Sequence, residues 1–344
     1  MYKENTILAL DIGGGTQDIL LYDPNKTVEN CFKFVLPSPT VLIKEKVQSA
    51  TAAKRDIHLT GDIMGGGPCK AAVKKHIQAG LSVTSTPQAA KTFFDDIKRV
   101  EQMGIVICEN PKSNALEIEL KDLELPSLMT VFDTYNIAHP QTVAVAVQDH
   151  GEAIGQSNRV VRSQNWRTFI EAGGNPLDLI YTDVPDHLTR MLAVKRAYPD
   201  ALLMDTGPAA ILGALCDPKV ASKQDQGIVV VNIGNMHTLA FLLKNNRVFG
   251  MFEHHTSMLS PIKLAQLVSK LQKGAITQEE IYNDGGHGGS VSDAATNMTF
   301  DFITVTGPNR HLAHKLNCHP AVPHGDMMLS GCFGLVSAVH ALPS

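Results

Sequence analysis

The sequence predicts a two-domain α/β protein built from two related halves, on three observations. Residues 5–23 contain two short apolar, strand-forming runs joined by the turn Gly13-Gly14-Gly15-Thr16, which indicates a β-hairpin. Residues 227–243 repeat this plan, with a polar turn between two apolar runs. Runs of small residues follow Asp205 and recur near the C-terminus, and such residues favour helices that pack closely.

The composition is that of an ordinary folded protein. The chain has 344 residues, 44% hydrophobic and 19% charged, which is enough for two domains and a large core. A net charge of −4 gives no overall field for nucleic acid or for an anionic membrane. No run of about 18 apolar residues is present, and the N-terminus lacks the layout of a signal peptide. We therefore expect a cytoplasmic protein that binds neither nucleic acid nor membrane.

The six cysteines are widely scattered, and the closest pair is Cys318 and Cys332. Their spacing fits neither a zinc ribbon nor a disulfide framework, so buried free thiols are expected. The lack of a close cysteine triplet also argues against an iron–sulfur cluster held by cysteines.

The first glycine turn has the features of an anion site. Residues without a Cβ atom let an anion approach the main-chain amides, and the Thr16 hydroxyl adds a donor. Phosphate is the expected guest, and Asp11 at the end of the first strand would face it and hold hydrated Mg²⁺. The turn matches neither a Walker loop nor a dinucleotide fingerprint, because it lacks Gly-Lys-Ser/Thr and leads into a strand. The alternative is a plain glycine turn on a surface hairpin.

Between the hairpins, a glycine-rich turn at 61–67 precedes Pro68, which suits the start of a helix. Such a turn either binds an anion at the helix N-terminus or allows close packing. Apolar residues recur at three- and four-residue steps from Pro87 to Met103, which predicts one amphipathic helix. Strands are predicted at 104–108, 115–120 and 142–147.

Two polar groups in the middle of the chain leave alternatives open. Asp149 and His150 follow the strand at 142–147, where they serve either as a metal or substrate contact or as a hydrogen-bonded strand edge. Three arginines at 159, 162 and 167 surround Trp166, and for them we expect a solvated face rather than an anion-binding rim.

The motif Asp-x-Gly-x-Gly-Thr, placed between two predicted strands, resembles the first phosphate loop of the actin, heat-shock-chaperone and sugar-kinase superfamily. Further segments follow in that superfamily's order: a connecting helix at 205–215, a second phosphate loop at 232–238, an adenosine loop at 306–308 and a second connecting helix at 325–341. The resemblance implies a two-domain actin-like ATPase fold of duplicated ribonuclease-H-like halves. It implies a first half at 1–205 with a subdomain inserted at about 36–135, and a second half at 206–344 whose last helix packs back between the domains.

The same resemblance implies Mg-ATP in the cleft between the halves. The residues expected to bind the nucleotide are Gly13, Gly14, Gly15, Thr16, Gly234, Asn235, His237, Thr238, Gly307 and Pro308. Asp11 is expected to hold Mg²⁺, and the candidate catalytic carboxylates are Asp11, Asp18 and Asp205. The second loop departs from the superfamily, which usually has Asp where this chain has Asn232. A neutral amide weakens metal binding and cannot act as a base, so the expectation of ATP binding does not extend directly to hydrolysis.

The expected function is that of an ATPase or of a kinase acting on a small molecule. The partners would be the nucleotide and a small molecule or protein that the sequence does not identify, and the oligomeric state is left open. Two other classes stay open. One is a non-catalytic nucleotide switch that engages a protein, and the other is a metal-dependent hydrolase or group-transfer enzyme.

Four segments carry a second resemblance: Asp-Ile-Gly-Gly-Gly-Thr-Gln-Asp, Gly-Asp-Ile-Met-Gly-Gly-Gly-Pro, Gln-Asp-His-Gly and Pro-His-Gly-Asp-Met-Met-Leu. They are similar to a prokaryotic family labelled putative pyruvate formate-lyase activating enzyme. The label implies a radical enzyme that uses S-adenosylmethionine and an iron–sulfur cluster held by Cys-x-x-x-Cys-x-x-Cys. That spacing does not occur in this chain, so a radical S-adenosylmethionine enzyme is not expected.

A second functional site is expected from Asp149, His150 and the histidines of the second half. Glu253-His254-His255 follows a short apolar strand, and His287 lies in a glycine-rich loop that we expect to be flexible and to close over a ligand. Adjacent strand residues point to opposite faces, so Glu253 and His255 can share an ion, joined by His150 or His287. Zinc, iron or manganese suit these ligands. The alternatives are a metal-free substrate contact or hydrogen-bonded structural histidines.

Overall fold

A computed structural model describes residues 2–110 and 114–343. The strands, numbered along the chain, are β1 (Ile7–Ile12), β2 (Thr16–Tyr22), β3 (Phe32–Pro37), β4 (Ile57–Gly61), β5 (Val83–Ser85), β6 (Ile105–Ile107), β7 (Leu116–Leu120), β8 (Thr142–Val147), β9 (Leu202–Met204), β10 (Ile228–Ile233), β11 (His237–Lys244), β12 (Arg247–His255), β13 (Gly288–Val291), β14 (Phe302–Thr306) and β15 (His319–Pro320). The α-helices are α1 (Pro39–Ala52), α2 (Gly67–Gln78), α3 (Pro87–Ala90), α4 (Ile97–Gln102), α5 (Leu125–Thr134), α6 (Asn158–Glu171), α7 (Thr189–Ala197), α8 (Thr206–Ala214), α9 (Pro218–Ala221), α10 (Pro261–Gln272), α11 (Gln278–Asn283) and α12 (Ser330–Ala341).

Two large sheets share one plan. The first has the order β3-β2-β1-β8-β9, and the second has the order β13-β12-β11-β10-β14-β15. In each, an antiparallel hairpin is followed by parallel strands on the far side of its first strand. The hairpin registers also match, because Asp11 lies opposite Asp18 where Asn232 lies opposite Leu239. This duplicated strand order confirms the predicted α/β fold of the actin-like type.

Burial explains why the central strands form where they do. Every residue of β8 is buried, and five of the six residues of β10 are buried. Near-continuous apolar runs are typical of strands that are covered on both faces. Around β1 and β8, the core contains Leu335 and Val339 of α12 on one face and Phe132 of α5 on the other.

The helices α8 and α12 cross in close contact between the two large sheets. A Cβ atom at Gly213 would lie 1.7 Å from the carbonyl oxygen of Ser330, and one at Gly334 would lie 1.8 Å from that of Ala209. Only glycine at these positions lets the two backbones approach so closely. Helix α8 contributes Ile211 to the core of the second sheet, whereas α12 packs on β1 of the first.

A third sheet, fully parallel with the order β6-β5-β4-β7, lies within the stretch between the first hairpin and β8. It has its own apolar core, to which α1 and α2 contribute Val47 and Val73. The predicted domain boundaries at 205/206 and the limits of the insertion at about 36–135 stay predictions.

Two sequence-based expectations were wrong. The single helix predicted from Pro87 to Met103 is broken into α3 and α4, because Thr86 caps the first and the Asp96 side chain accepts a bond from the amide of Lys98 to start the second. The glycine-rich segment around His287 was expected to be a loop, but part of it forms β13. Its Gly288 and Gly289 pair with β12, and the His287 amide donates to the Glu253 carbonyl over 2.9 Å. None of the helices in the described residues is long and apolar enough to cross a membrane.

Candidate functional site

The glycine turns of the two hairpins face one another. A Cβ atom at Gly14 would lie 2.2 Å from the Met236 Cγ, and one at Gly15 would lie 2.5 Å from the Asn235 Nδ2. The side chains of the second turn therefore lie directly on the backbone of the first. Both turns have the same internal bond, from Gly13 N to the Thr16 carbonyl and from Gly234 N to the His237 carbonyl, each 2.9 Å.

A third loop closes one end of this arrangement. Gly307 has a φ of +97°, and a Cβ atom there would lie 2.5 Å from the Ile233 carbonyl oxygen. The side-chain amide of Asn309 donates to the Gly234 carbonyl over 3.0 Å. The turn that follows β14 is thus fixed against the second glycine turn.

The three loops line a cavity of about 100 Å³. The predicted site residues that line it are Asp11, Gly13, Gly14, Thr16, Asp18, Gly234, Asn235, His237, Gly307 and Pro308. Gly15 lies beside it in contact with Asn235. Thr238 is buried, and its hydroxyl is hydrogen-bonded to the hydroxyl of Thr256, so it lies apart from the cavity.

Four main-chain amides in the turns have no hydrogen-bond partner in the part of the chain that the structure describes. They belong to Gly14 and Gly15 in the first turn and to Asn235 and Met236 in the second. Unpaired amides in consecutive turn residues form a concave surface that favours anions. The two halves therefore offer two such surfaces to the same space.

Two carboxyl groups lie at the base of the first turn. Asp11 and Asp18 are opposite each other across the hairpin, and Oδ1 of each is buried without a hydrogen-bond partner in the described residues. Burial, together with the charges of Asp18 and Asp205, raises the pKa of Asp11 well above its usual range. Burial likewise raises the pKa of Asp18 to about 7. A carboxyl pair with unsatisfied oxygens and raised pKa values is an arrangement that a cation would stabilise.

Asp205 is the third predicted catalytic carboxylate, and both of its carboxylate oxygens accept hydrogen bonds from the protein itself. Its side chain caps α8 through Gly207 N and receives both terminal nitrogens of Arg162, at 2.6 and 2.9 Å. The Nε of Arg162 donates to Glu253 over 2.9 Å. Glu253 also accepts bonds from the Trp166 indole and from the Gln148 amide, so both of its oxygens are bound. Burial opposes the ionisation of Glu253, but the Arg162 charge outweighs it and holds the pKa of Glu253 well below its usual range.

The solvated face expected for the arginines was therefore wrong at Arg162, which is 4% exposed. A buried guanidinium requires paired carboxylates, and here α6 supplies the cation while the start of α8 and β12 supply the anions. Asp149 is also structural in its contacts. Its carboxylate accepts the amides of Gly151, Arg190 and Met191 at 2.8 to 3.0 Å.

A second, polar cavity of about 220 Å³ adjoins the first, and Gln148 lines both. Its walls come from the glycine-rich turn before α2, from the residues after β8 and from the start of α7. Four basic side chains line it, those of Lys70, Lys91, Arg99 and Arg190, together with the carboxylates of Asp95 and Asp149. Lys70 donates to the Phe93 carbonyl over 2.6 Å, and burial lowers its pKa to about 8. Arg190 forms a paired contact with Asp122, at 2.7 and 2.9 Å.

Four histidines converge where these cavities meet. His150 lines the polar cavity and His237 lines the cavity of the turns. The ring centroid of His287 lies 4.8 to 5.0 Å from those of His150, His237 and His255. Burial lowers the pKa of His237 to about 4 and that of His287 to about 3, and it also lowers the pKa values of His150 and His255. The imidazoles are therefore neutral at neutral pH.

The structure thus brings His237 close to His150 and His287. From the sequence, His237 was expected only in the second phosphate loop. Glu253 lies next to this group but is engaged by Arg162, and His254 is bonded to Asp284 at 3.1 Å. Sequence reasoning missed Gln148, Met236 and Arg162. The first two stand beside residues that were singled out, whereas nothing local marks Arg162 as buried.

Comparison with protein families gives one match. Residues 64–312, more than two thirds of the chain, match the family described as "Putative pyruvate format-lyase activating enzyme (DUF1786)". The chain belongs to this family. The match confirms the resemblance found in the segments quoted above. A search of curated proteins found no match.

Among solved structures, the chain is similar to "Lmo2764 protein, a putative N-acetylmannosamine kinase" from Listeria monocytogenes, with 12% identity, a TM-score of 0.38, and 97% and 98% of the two chains covered. It is also similar to a chain of the "PilM-PilN type IV pilus biogenesis complex", with 11% identity, a TM-score of 0.40, and 99% and 100% covered. The ethanolamine utilization protein EutJ from Carboxydothermus hydrogenoformans gives 11% identity, a TM-score of 0.32, and 96% and 88% covered. The fold assignment rests on the strand order and matched registers rather than on these scores.

The family's description names an activating enzyme whose iron–sulfur cluster would need three closely spaced cysteines. The cysteines of this chain do not fit such a cluster. Cys31, Cys69 and Cys332 are buried, and the remaining three cysteines are partly buried. In the described residues the one group with metal-ligating geometry contains three histidines and no cysteine.

Proposed function

We propose that the chain binds Mg-ATP between the two glycine turns and transfers a phosphoryl group to a small molecule. One observation carries this proposal: two duplicated turns with unpaired amides meet over a pair of carboxyl groups that have unsatisfied oxygens. Free amides suit phosphate oxygens, and carboxylate oxygens suit hydrated Mg²⁺. The actin-like fold supports the nucleotide as the source of the phosphates.

Each part of the site would have a distinct task. The amides of Gly14, Gly15, Asn235 and Met236 would bind and orient the phosphates, and Asp11 and Asp18 would hold the cation. When bound, Mg²⁺ supplies positive charge that offsets the charge developing on the transferred group. Asn232 is no base, so activation of the acceptor would come from another residue or from positioning alone.

The contacts between the turns correspond to a closed arrangement. Ligand pockets of drug-sized molecules usually measure about 300–1,000 Å³, and the cavity between the turns measures about 100 Å³. Binding of ATP would therefore require the turns to separate and the Met236 side chain to leave Gly14. The crossing of α8 and α12 joins the halves and is the natural place for such a movement.

The adjoining polar cavity supports transfer to an acceptor rather than hydrolysis alone. It shares Gln148 with the turn cavity, and its lining contains four basic side chains and two carboxylates. A small polar or anionic molecule would fit its size and charge. The second candidate function is a nucleotide switch that binds a protein partner. Binding of ATP without turnover would favour it.

The test is an assay of ATP turnover with and without Mg²⁺, in the presence of a panel of small anionic acceptors. We expect Mg-dependent turnover that one acceptor class stimulates. The variant Asp11→Asn should lose it, while Asp225→Asn, which changes an exposed carboxylate away from the cavity, should keep it. Equal turnover by the wild type and Asp11→Asn would contradict the proposal.

A further inference from the structure

We propose that His150, His237 and His287 hold one divalent transition-metal ion of the zinc class, next to the nucleotide cleft. In the residues that the structure describes, they form the one group of potential ligands whose donor atoms all lie within 4.8 Å of one another. The inference is separate from nucleotide binding, because it concerns other residues and a different ligand.

The spacing of the imidazoles fits a common metal. The Nε2 atoms of His237 and His287 are 3.2 Å apart. Two nitrogens bound to one tetrahedral zinc, at 2.0–2.1 Å each, would be about 3.3–3.4 Å apart. The third ring, that of His150, lies with its centroid 5.0 Å from that of His287. Because the three donor atoms lie within 4.8 Å of one another, a movement of no more than about 1.4 Å would bring the His150 nitrogen to the spacing of a zinc site.

The surroundings leave these imidazoles available. The Nδ1 atoms of His237 and His287 are buried and have no hydrogen-bond partner in the described residues, and His287 is 2% exposed. The nearest carboxylate, Glu253, is engaged by Arg162, Trp166 and Gln148. By contrast, His254 has an acceptor in Asp284, as a structural histidine does. In the described residues the convergent Nε2 atoms of His237 and His287 have only each other as partners, and an ion between them would replace that contact.

Rigid elements position the three ligands. His237 begins β11, His150 follows β8 closely, and His287 directly precedes β13 with its amide bonded to the Glu253 carbonyl. Side chains on strands hold a metal geometry more closely than side chains on free loops do. The three segments come from both halves of the chain, so the site forms only in the folded protein.

Three imidazoles favour zinc over magnesium or calcium, which prefer oxygen ligands. A three-ligand zinc site keeps a position open for water or substrate. Because His150 lines the polar cavity and His237 lines the cavity of the turns, the ion would lie between the two. It would bind an oxygen atom of a molecule in the polar cavity and polarise it.

The experiment uses cobalt(II) as a coloured substitute for zinc. Protein purified without a histidine tag is stripped with a chelator and titrated with Co²⁺ alone. We expect saturable binding of one ion per chain with visible d–d absorption, and displacement of the cobalt by Zn²⁺. Loss of a second-shell partner usually costs 10- to 100-fold in metal affinity, so His237→Gln or His287→Gln should cost at least about 100-fold.

Two matched controls separate the site from the other histidines. His311→Gln and His314→Gln each change an exposed histidine away from the cluster. Both should bind Co²⁺ as the wild type does, and melting curves check that every variant is folded. Absence of one-to-one binding by the wild type would overturn the proposal whether or not the variants fold. So would unchanged affinity in both His237→Gln and His287→Gln, or a loss in His311→Gln equal to theirs.

Discussion

Asp18 makes the stability of the protein depend on pH in an unusual direction. Its pKa is about 7 in the folded state against 3.8 for a free carboxyl group. Between these values the folded state holds a proton that the unfolded state has lost, so stability falls as the pH rises from about 4 to 7. The shift of about three units corresponds to roughly 4 kcal/mol at most.

The variant Asp18→Asn removes this titration. We expect its free energy of unfolding, measured with urea in the presence of EDTA, to exceed that of the wild type at pH 8 and to approach it near pH 4. An equal pH dependence of the two proteins between pH 4 and 8 would show that Asp18 titrates normally. Adding Mg²⁺ at pH 8 should raise the stability of the wild type more than that of the variant, because a cation offsets the buried charge.

Arg162 is the residue on which the buried charge network depends. Truncation by Arg162→Met leaves Asp205 and Glu253 buried without their cation, and such losses cost about 3–5 kcal/mol. The control is Lys270→Met, which removes an exposed ion pair with Glu280 and should cost less than about 1 kcal/mol. Urea unfolding of the three proteins measures the difference. Similar losses in both variants would mean that the buried pairing contributes no more than a surface pair.

At the scale of elements, the crossing of α8 and α12 depends on glycine. In an isolated helix Ala is more favourable than Gly by about 1 kcal/mol, yet a Cβ atom at Gly334 would lie 1.8 Å from a backbone oxygen of α8. We therefore expect Gly334→Ala to destabilise the protein by about 1–3 kcal/mol or more, because the helices must move apart.

The control for that prediction is Gln266→Ala, on the exposed face of α10, which should change stability by no more than about 0.5 kcal/mol. Thermal and urea unfolding compare the two. A Gly334→Ala variant as stable as the wild type would show that the crossing has room for a methyl group.

The sequence predicted the elements whose signals are local. The two hairpins each follow from two short apolar runs joined by a turn, and the repetition of this plan indicated the duplicated fold. The helix expected from Pro87 to Met103 was wrong because apolar spacing does not reveal the cap at Asp96 that starts a new helix.

The site was harder to predict because it is assembled from distant segments. His150, His237 and His287 come together only when β8 and β11 take their places in different sheets. Arg162 lies on a helix with arginines at 159 and 167, and spacing alone does not show which of them turns inward. The role of Met236 depends on the opposite turn, which no local pattern reveals.

Nucleotide would have to enter between two halves of the molecule whose glycine turns are in contact. Binding of ATP would move the Met236 side chain away from the Gly14 backbone and then join the two turns through the phosphates. A ligand present at 100 times its dissociation constant stabilises the folded protein by about 2.7 kcal/mol. The melting temperature should therefore rise with Mg-ATP and rise less with ATP in EDTA.

Calorimetric titration of the wild-type chain with a non-hydrolysable ATP analogue and Mg²⁺ measures whether the two turns bind nucleotide. We expect one site per chain, a Mg-dependent affinity, and loss of binding in Gly14→Val, whose branched side chain would cover the amides of the first turn. Absence of binding heat and of any melting shift at millimolar Mg-ATP would contradict this expectation.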